Sequence, residues 1–247
     1  MISSLHQNSY QNNDSDAPAM KVIIVGATGL VGTELIRQSL VHPSITSVIA
    51  VTRRTLAPPS PSPKFKNILV KDYDQYATDA KSAFKGANAC IWTIAITPSK
   101  SSIYPWEEVV RICQTSTMNG LRAMHDAGTA KPFRFIYMSG VAAERDQTKT
   151  PSFKPQYSLM RGETENQVLK FCTENGIEGA AAKPGLITDG LAKKALAATL
   201  WLTMGVPSIE IGKCARAMLD QVVNGFKKEP LMNDDLIKIA EEVERKG

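Results

Sequence analysis

Between the apolar run Val22 to Val25 and a helical segment from Thr33 to Leu40, the chain places Gly26, Gly29 and Gly32 three residues apart, within VIIVGATGLVGTELI. A strand, a glycine turn and a helix in that order let backbone N–H groups approach a diphosphate, and the helix N-terminus adds a positive dipole end. Gly26 is expected to make the turn, Gly29 to allow the approach and Gly32 to let the helix pack on the strand. Such glycines also mark plain turns, but their place straight after a strand and before a helix favours a dinucleotide. Roughly twenty residues on, NAD-binding folds present Asp or Glu to the ribose hydroxyls. This chain has Thr52, Arg53 and Arg54 there instead. An arginine pair attracts a 2′-phosphate that a carboxylate would repel. Two exposed arginines alone would only solvate a loop; next to the glycine turn they make NADP(H) the expected cofactor. Asp72, in VKDYD, is placed either to accept from an adenine amine or to cap a turn.

A second group of residues suits proton transfer. Ser139 ends the apolar stretch FIYMSG, and Tyr157 follows eighteen positions later in YSLMRGETE. A serine at a strand end and a tyrosine on the next helix can face one carbonyl, the tyrosine as acid or base and the serine as donor. Arg161 lies four residues after Tyr157 and so shares its helix face, where a cation supports a phenolate. The four cysteines are far apart and match no metal-ligand spacing, so no metal is expected.

These residues need a scaffold. Strands are expected at Val22–Val25, Ser47–Val51, Ile68–Val70, Ala89–Ile94, Phe133–Ser139 and Gly179–Ala182. Helices are expected from near Gly29 to Leu40, at Tyr76–Phe84, along Trp106 to Ala127, and at Tyr157–Thr173. Strands alternating with helices predict an α/β protein, a doubly wound parallel sheet. The last sixty or so residues break that rhythm and read as a small C-terminal helical lobe, about 186–247, on the substrate side of a single domain spanning 20–247. Trp106, Trp201 and Met204 could line a pocket for an apolar substrate, and core packing is the preferred expectation. Residues 1–19 are polar, lack the apolar centre of a signal peptide and read as a disordered leader.

The net charge of +5 comes from scattered lysines and arginines, which points away from nucleic acid and suits a phosphate-bearing small molecule. The most apolar late stretch, Ala195 to Val206, is too short to span a bilayer. Dispersed cysteines imply a reducing, cytoplasmic setting. A monomer or homodimer is expected.

The motifs GATGLVG, VTRR, DYD, FIYMSG, YSLMRGETE and KPG, in this order, resemble the short-chain dehydrogenase/reductase superfamily. The resemblance is to its atypical branch, whose NAD(P)-binding domains are similar to the human Tat-interacting protein, and it runs from about Lys21 into the C-terminal region. It implies a Rossmann fold. It also implies cofactor contacts at Gly26, Thr28, Gly29, Leu30, Val31, Arg53, Arg54, Ala95, Ile96, Ser139 and Tyr157, with Pro184 and Gly185 beside the nicotinamide. One departure stands out: the family has Tyr-x-x-x-Lys, and here the lysine position is Arg161, which keeps the charge but cannot lose its proton. The expected function is an NADPH-dependent oxidoreductase acting on a carbonyl or conjugated alkene of a small apolar molecule. A non-redox lyase, isomerase or cyclase using Tyr157, and a dinucleotide-sensing binding protein, are the alternatives.

Overall fold

The computed structural model describes residues 19–246, so the expected leader, apart from Ala19, lies outside the described residues. Strand β1 (Met20–Val25) leads through the glycine turn into α1 (Leu30–Val41), followed by β2 (Ile45–Thr52) and β3 (Phe65–Leu69). Next come α2 (Thr78–Phe84), β4 (Ala89–Trp92) and α3 (Trp106–Val110), then a π-helical turn, Arg111–Thr115, and α4 (Ser116–Asp126). The order continues with β5 (Arg134–Met138), α5 (Pro155–Glu174), β6 (Glu178–Lys183), β7 (Leu186–Thr188) and α6 (Leu191–Met204). It closes with β8 (Ser208–Glu210), α7 (Ile211–Asn224), β9 (Leu231–Met232) and α8 (Asn233–Lys246).

Seven strands form one parallel sheet in the order β3-β2-β1-β4-β5-β6-β9, and β7 and β8 pair separately. Strand order therefore reverses between β1 and β4, the place where open α/β sheets leave a crevice at their carboxyl ends. Alternate residues of β1 face opposite ways, as strand geometry requires. Val22 and Ile24 join the core under α1, α7 and α8, while Ile23 and Val25 join Trp92, Phe135 and Tyr137 under α2, α4 and α5. Burial on both faces explains why these strands read as continuous apolar runs.

The parallel sheet expected from the sequence is present, with its C-terminal helices, and four details differ. Ala89–Ile94 ends two residues early, because β1 gives way to the Gly26 turn and beyond Trp92 the contacts to Val25 O come from Thr93 alone among the described residues, through its N at 3.0 Å and its Oγ1 at 2.8 Å. The third strand is shifted toward the N-terminus, paired in register with Val48–Thr52. The long helix from Trp106 is present but widens into a π turn at Arg111–Thr115, where Cys113 Sγ sits 3.3 Å from Ile96 N. Trp201 is 61% exposed, not in the core, because α6 turns it outward with Leu191 and Leu202. Of the C-terminal helices, α7 and α8 pack on one face of the sheet, and β9 extends its edge.

Candidate active site

The glycine corner is shaped by backbone contact. Gly26 has φ +84°, a conformation that suits glycine, and its carbonyl accepts from Gly29 N at 2.9 Å. A Cβ on Gly32 would lie 2.3 Å from Gly26 O and 2.8 Å from Ala27 Cα, so α1 rests directly on the turn. The first turn of α1 carries no acidic residue, and Gly29 at its N-cap offers no side-chain cap. The positive helix end is thus left for an external anion. A cavity of about 310 Å³ opens here, bordered by Thr28, Gly29, Leu30, Thr33 and the carboxylates Glu34 and Asp189. Glu34 is engaged by Arg37 at 2.7 Å, and that hydrogen bond holds its carboxyl below the usual range. A separate hollow of about 290 Å³, bordered by Asp74, Tyr76 and Arg122, shares no lining residue with it.

Arg53 and Arg54 follow β2 and are exposed, and neither forms an ion pair among the described residues. Thr52 Oγ1 braces this turn by donating to Arg54 O at 2.6 Å. Asp72 is exposed and engaged: it lies 3.2 Å from Arg111 and accepts from Asp74 N. Ile96, buried, and Ala95, half-buried, follow β4. Pro184 is buried and its carbonyl accepts from Val141 N at 3.1 Å, while Gly185 N donates to Asn233 Oδ1 at 3.0 Å. A Cβ on Gly185 would meet Pro207 O at 2.0 Å, so here the glycine serves chain packing.

Tyr157 is buried on α5, and its hydroxyl donates to Ile96 O at 2.7 Å. Burial pushes its phenol above the ordinary tyrosine range, and the Arg161 charge pulls it back only in part. Arg161 does share that neighbourhood, but it points into the protein. Its guanidinium stacks 4.9 Å from the Tyr137 ring centroid and donates through Nη2 to Met138 O at 2.7 Å. Its Nη1 is buried with no hydrogen-bond partner among the described residues. A buried donor left unpaired is costly, so this atom has an outstanding need for an acceptor.

Ser139 is turned elsewhere. It donates to Glu165 Oε1 at 2.5 Å, and Glu165 is fully buried. Glu165 Oε2 accepts from Arg145 Nε at 2.6 Å and from Lys183 Nζ at 3.1 Å. A hydroxyl has one proton, so Ser139 in this arrangement can only accept from a ligand. Among the described hydrogen bonds none joins Ser139 to Tyr157. Sequence reasoning missed Glu165, Arg145 and Lys183. Glu165 lies on the Tyr157 helix and Lys183 directly precedes Pro184, yet nothing local marked them as partners.

The fold and this corner define a class, a dinucleotide-type Rossmann protein with a tyrosine at the carboxyl edge of the sheet. The chain belongs to the NAD dependent epimerase/dehydratase family, whose profile matches residues 22–186. It is 22% identical over 239 residues to "Protein FMP52, mitochondrial" of Candida albicans, covering 90% of this chain and 98% of that one. It is 24% identical over 168 residues to "Protein fmp52, mitochondrial" of Emericella nidulans; that match covers 67% of this chain and 66% of the relative, just under two thirds of its length. The dTDP-glucose 4,6-dehydratase DesIV of Streptomyces venezuelae, solved with NAD and TYD bound, shares the fold at a TM-score of 0.65 and 16% identity, over 90% of this chain and 80% of that one. The relatives' names place them in mitochondria. This overturns the cytoplasmic expectation, which rested on dispersed cysteines, a sign of a reducing milieu and not an address.

The residues present fit the family's dinucleotide. The Gly26–Gly32 corner holds backbone where side chains would intrude, and α1 presents an uncapped positive end.

Proposed function

We propose that this protein is an NADPH-dependent oxidoreductase that reduces a carbonyl or a conjugated alkene of a small apolar molecule. One observation carries the cofactor choice: two unpaired arginines, Arg53 and Arg54, follow β2 beside the uncapped glycine corner, and no carboxylate stands in their place. A 2′-phosphate matches their forked donors, whereas unphosphorylated ribose would leave two like charges side by side.

In this reading the bound cofactor supplies hydride to the substrate. Gly26, Thr28, Gly29, Leu30, Val31 and Gly32 hold its diphosphate, Asp72 borders the adenine, and Ala95, Ile96, Pro184 and Gly185 wall the reacting end. Tyr157 provides the proton. Its raised phenol pKa keeps it protonated at neutral pH, which suits an acid acting in reduction better than a base acting in oxidation. Arg161 holds positive charge beside the phenol, so the phenolate left after transfer is stabilised. The relatives' names support a mitochondrial setting. The experiment is a fluorescence titration with NADPH and NADH, followed by NADPH oxidation over a panel of carbonyl and enone substrates. Tighter binding of NADH would defeat the cofactor choice.

A second reading, a dinucleotide-sensing binding protein, is favoured by one feature: both candidate hydroxyls, Tyr157 and Ser139, already donate to the protein itself. NADPH binding without oxidation across the panel would select it.

A further inference from the structure

Glu165 has no contact with solvent, yet it gathers three partners from three segments: Ser139 at the end of β5, Arg145 from the loop that follows, and Lys183 at the end of β6. The links continue outward. Lys183 Nζ donates to Ala143 O at 2.8 Å, and Arg145 reaches Glu229 at 2.9 Å ahead of β9. Val141 N donates to Pro184 O, and Ser139 N to Ala182 O at 2.8 Å, so the 139–145 loop and the 183–185 segment are laced together. The loop also lies hard against α5: Glu144 N donates to Ser158 O at 3.0 Å, and a Cβ on Gly162 would meet Glu144 O at 1.7 Å.

A buried ion cluster is a poor device for stability, since apolar residues of similar volume often do as well or better. What it does well is hold groups at fixed positions. The topology says which position matters. Arg53 and Arg54 follow β2, the diphosphate corner follows β1, and the sheet then runs β4, β5, β6. A dinucleotide laid along the carboxyl edge with its phosphorylated ribose at β2 must carry its other half over the ends of β4 to β6. Two of those ends, of β5 and β6, are the ones that Glu165 ties together.

We propose that Glu165 is a positioning residue: its buried carboxylate braces the 139–145 loop against the 183–185 segment, and so preorganises the wall that receives the nicotinamide half of the cofactor. This rests on the dinucleotide reading above. In Glu165→Gln the amide oxygen stays with the two cations, the amide N–H turns to Ser139, and the anchoring charge is lost. Lys183→Met removes the buried cation instead and replaces it with an apolar chain, which guards against a first variant that fails to fold.

The test has two arms on the full chain. Hydrogen exchange of the cofactor-free protein reads the brace. Exchange at the Val141 amide is expected to speed up by about tenfold or more in either variant, while β1 amides keep their protection. Binding reads the function. NADPH affinity is expected to fall by about tenfold, with affinity for 2′-phospho-ADP-ribose, which lacks the nicotinamide, within about twofold of the wild type. A loss of general structural integrity would weaken both ligands together. Unchanged Val141 protection, or equal weakening of the two ligands, overturns the brace. A wild-type protein that binds neither ligand overturns the dinucleotide reading, and the claim about the nicotinamide wall with it, whatever the exchange arm says of the brace.

Discussion

The Tyr157 hydroxyl donates to the Ile96 carbonyl at 2.7 Å, joining α5 to the segment that leaves β4. This bond keeps the proton on the phenol and the hydroxyl at the carboxyl edge of the sheet. Tyr157→Phe is expected to lower kcat for carbonyl reduction by about a hundredfold or more, with NADPH affinity nearly unchanged. Steady-state kinetics beside a fluorescence titration checks it, and a variant that keeps full turnover rules Tyr157 out as the acid.

The pH dependence follows from the direction of the phenol shift. Burial raises the Tyr157 pKa above its ordinary value of 10, so the proton-donating form persists throughout the neutral range. Reduction should hold level as pH rises to about 9 and decline only in strong alkali, whereas the reverse oxidation, which needs phenolate, should climb. Arg161 pulls this pKa down, so Arg161→Met should move the alkaline limb to still higher pH. A pH profile of kcat for both proteins reads the sign, and a downward move contradicts the assignment.

Arg53→Ala with Arg54→Ala is expected to raise the NADPH dissociation constant by about ten- to a hundredfold and to leave NADH within about threefold. Added salt should weaken NADPH binding to the wild type more than to the double variant, because the arginines are exposed. Calorimetric titration at two ionic strengths measures both effects.

Gly32→Ala places a methyl 2.3 Å from Gly26 O, where only backbone could give way. We expect a loss of about 1–3 kcal/mol in stability together with loss of dinucleotide binding. Denaturant unfolding and the same titration test this, and an intact corner would show as unchanged affinity.

Ser139→Ala is expected to lower kcat by less than about fivefold, because the Ser139 O–H is already donated to Glu165 and cannot stabilise a substrate oxyanion. A hundredfold loss in kcat at unaltered NADPH affinity would show that the serine donates to substrate during turnover.

Much of the frame was legible before any coordinates. Val22 to Val25 reads as a buried strand, and its alternate residues enter the cores on the two faces of the sheet. Local steric rules also read correctly at Gly26, whose positive φ makes the turn, and at Gly32, whose missing Cβ lets α1 sit on it. The π turn at Arg111–Thr115 was hidden because its apolar residues keep an ordinary helical spacing. Strand β9 was hidden because two residues, Leu231 and Met232, carry no period. Trp201 was placed inside on its residue type, and only the packing of α6 turns it out.

By itself the sequence determined the order of the first six strands and the helices between them, the glycine corner and the arginine pair, because each is written in neighbouring residues through backbone sterics and hydrophobic periodicity. Only the tertiary structure decided where Ser139 sends its proton, what Arg161 stacks on, and that Glu165, Arg145 and Lys183 meet. Those contacts join residues 18 to 26 positions apart and depend on which strand ends come together at the edge of the sheet. Burial then turns such a meeting into chemistry, since a buried charge or hydroxyl must find its partner within the protein.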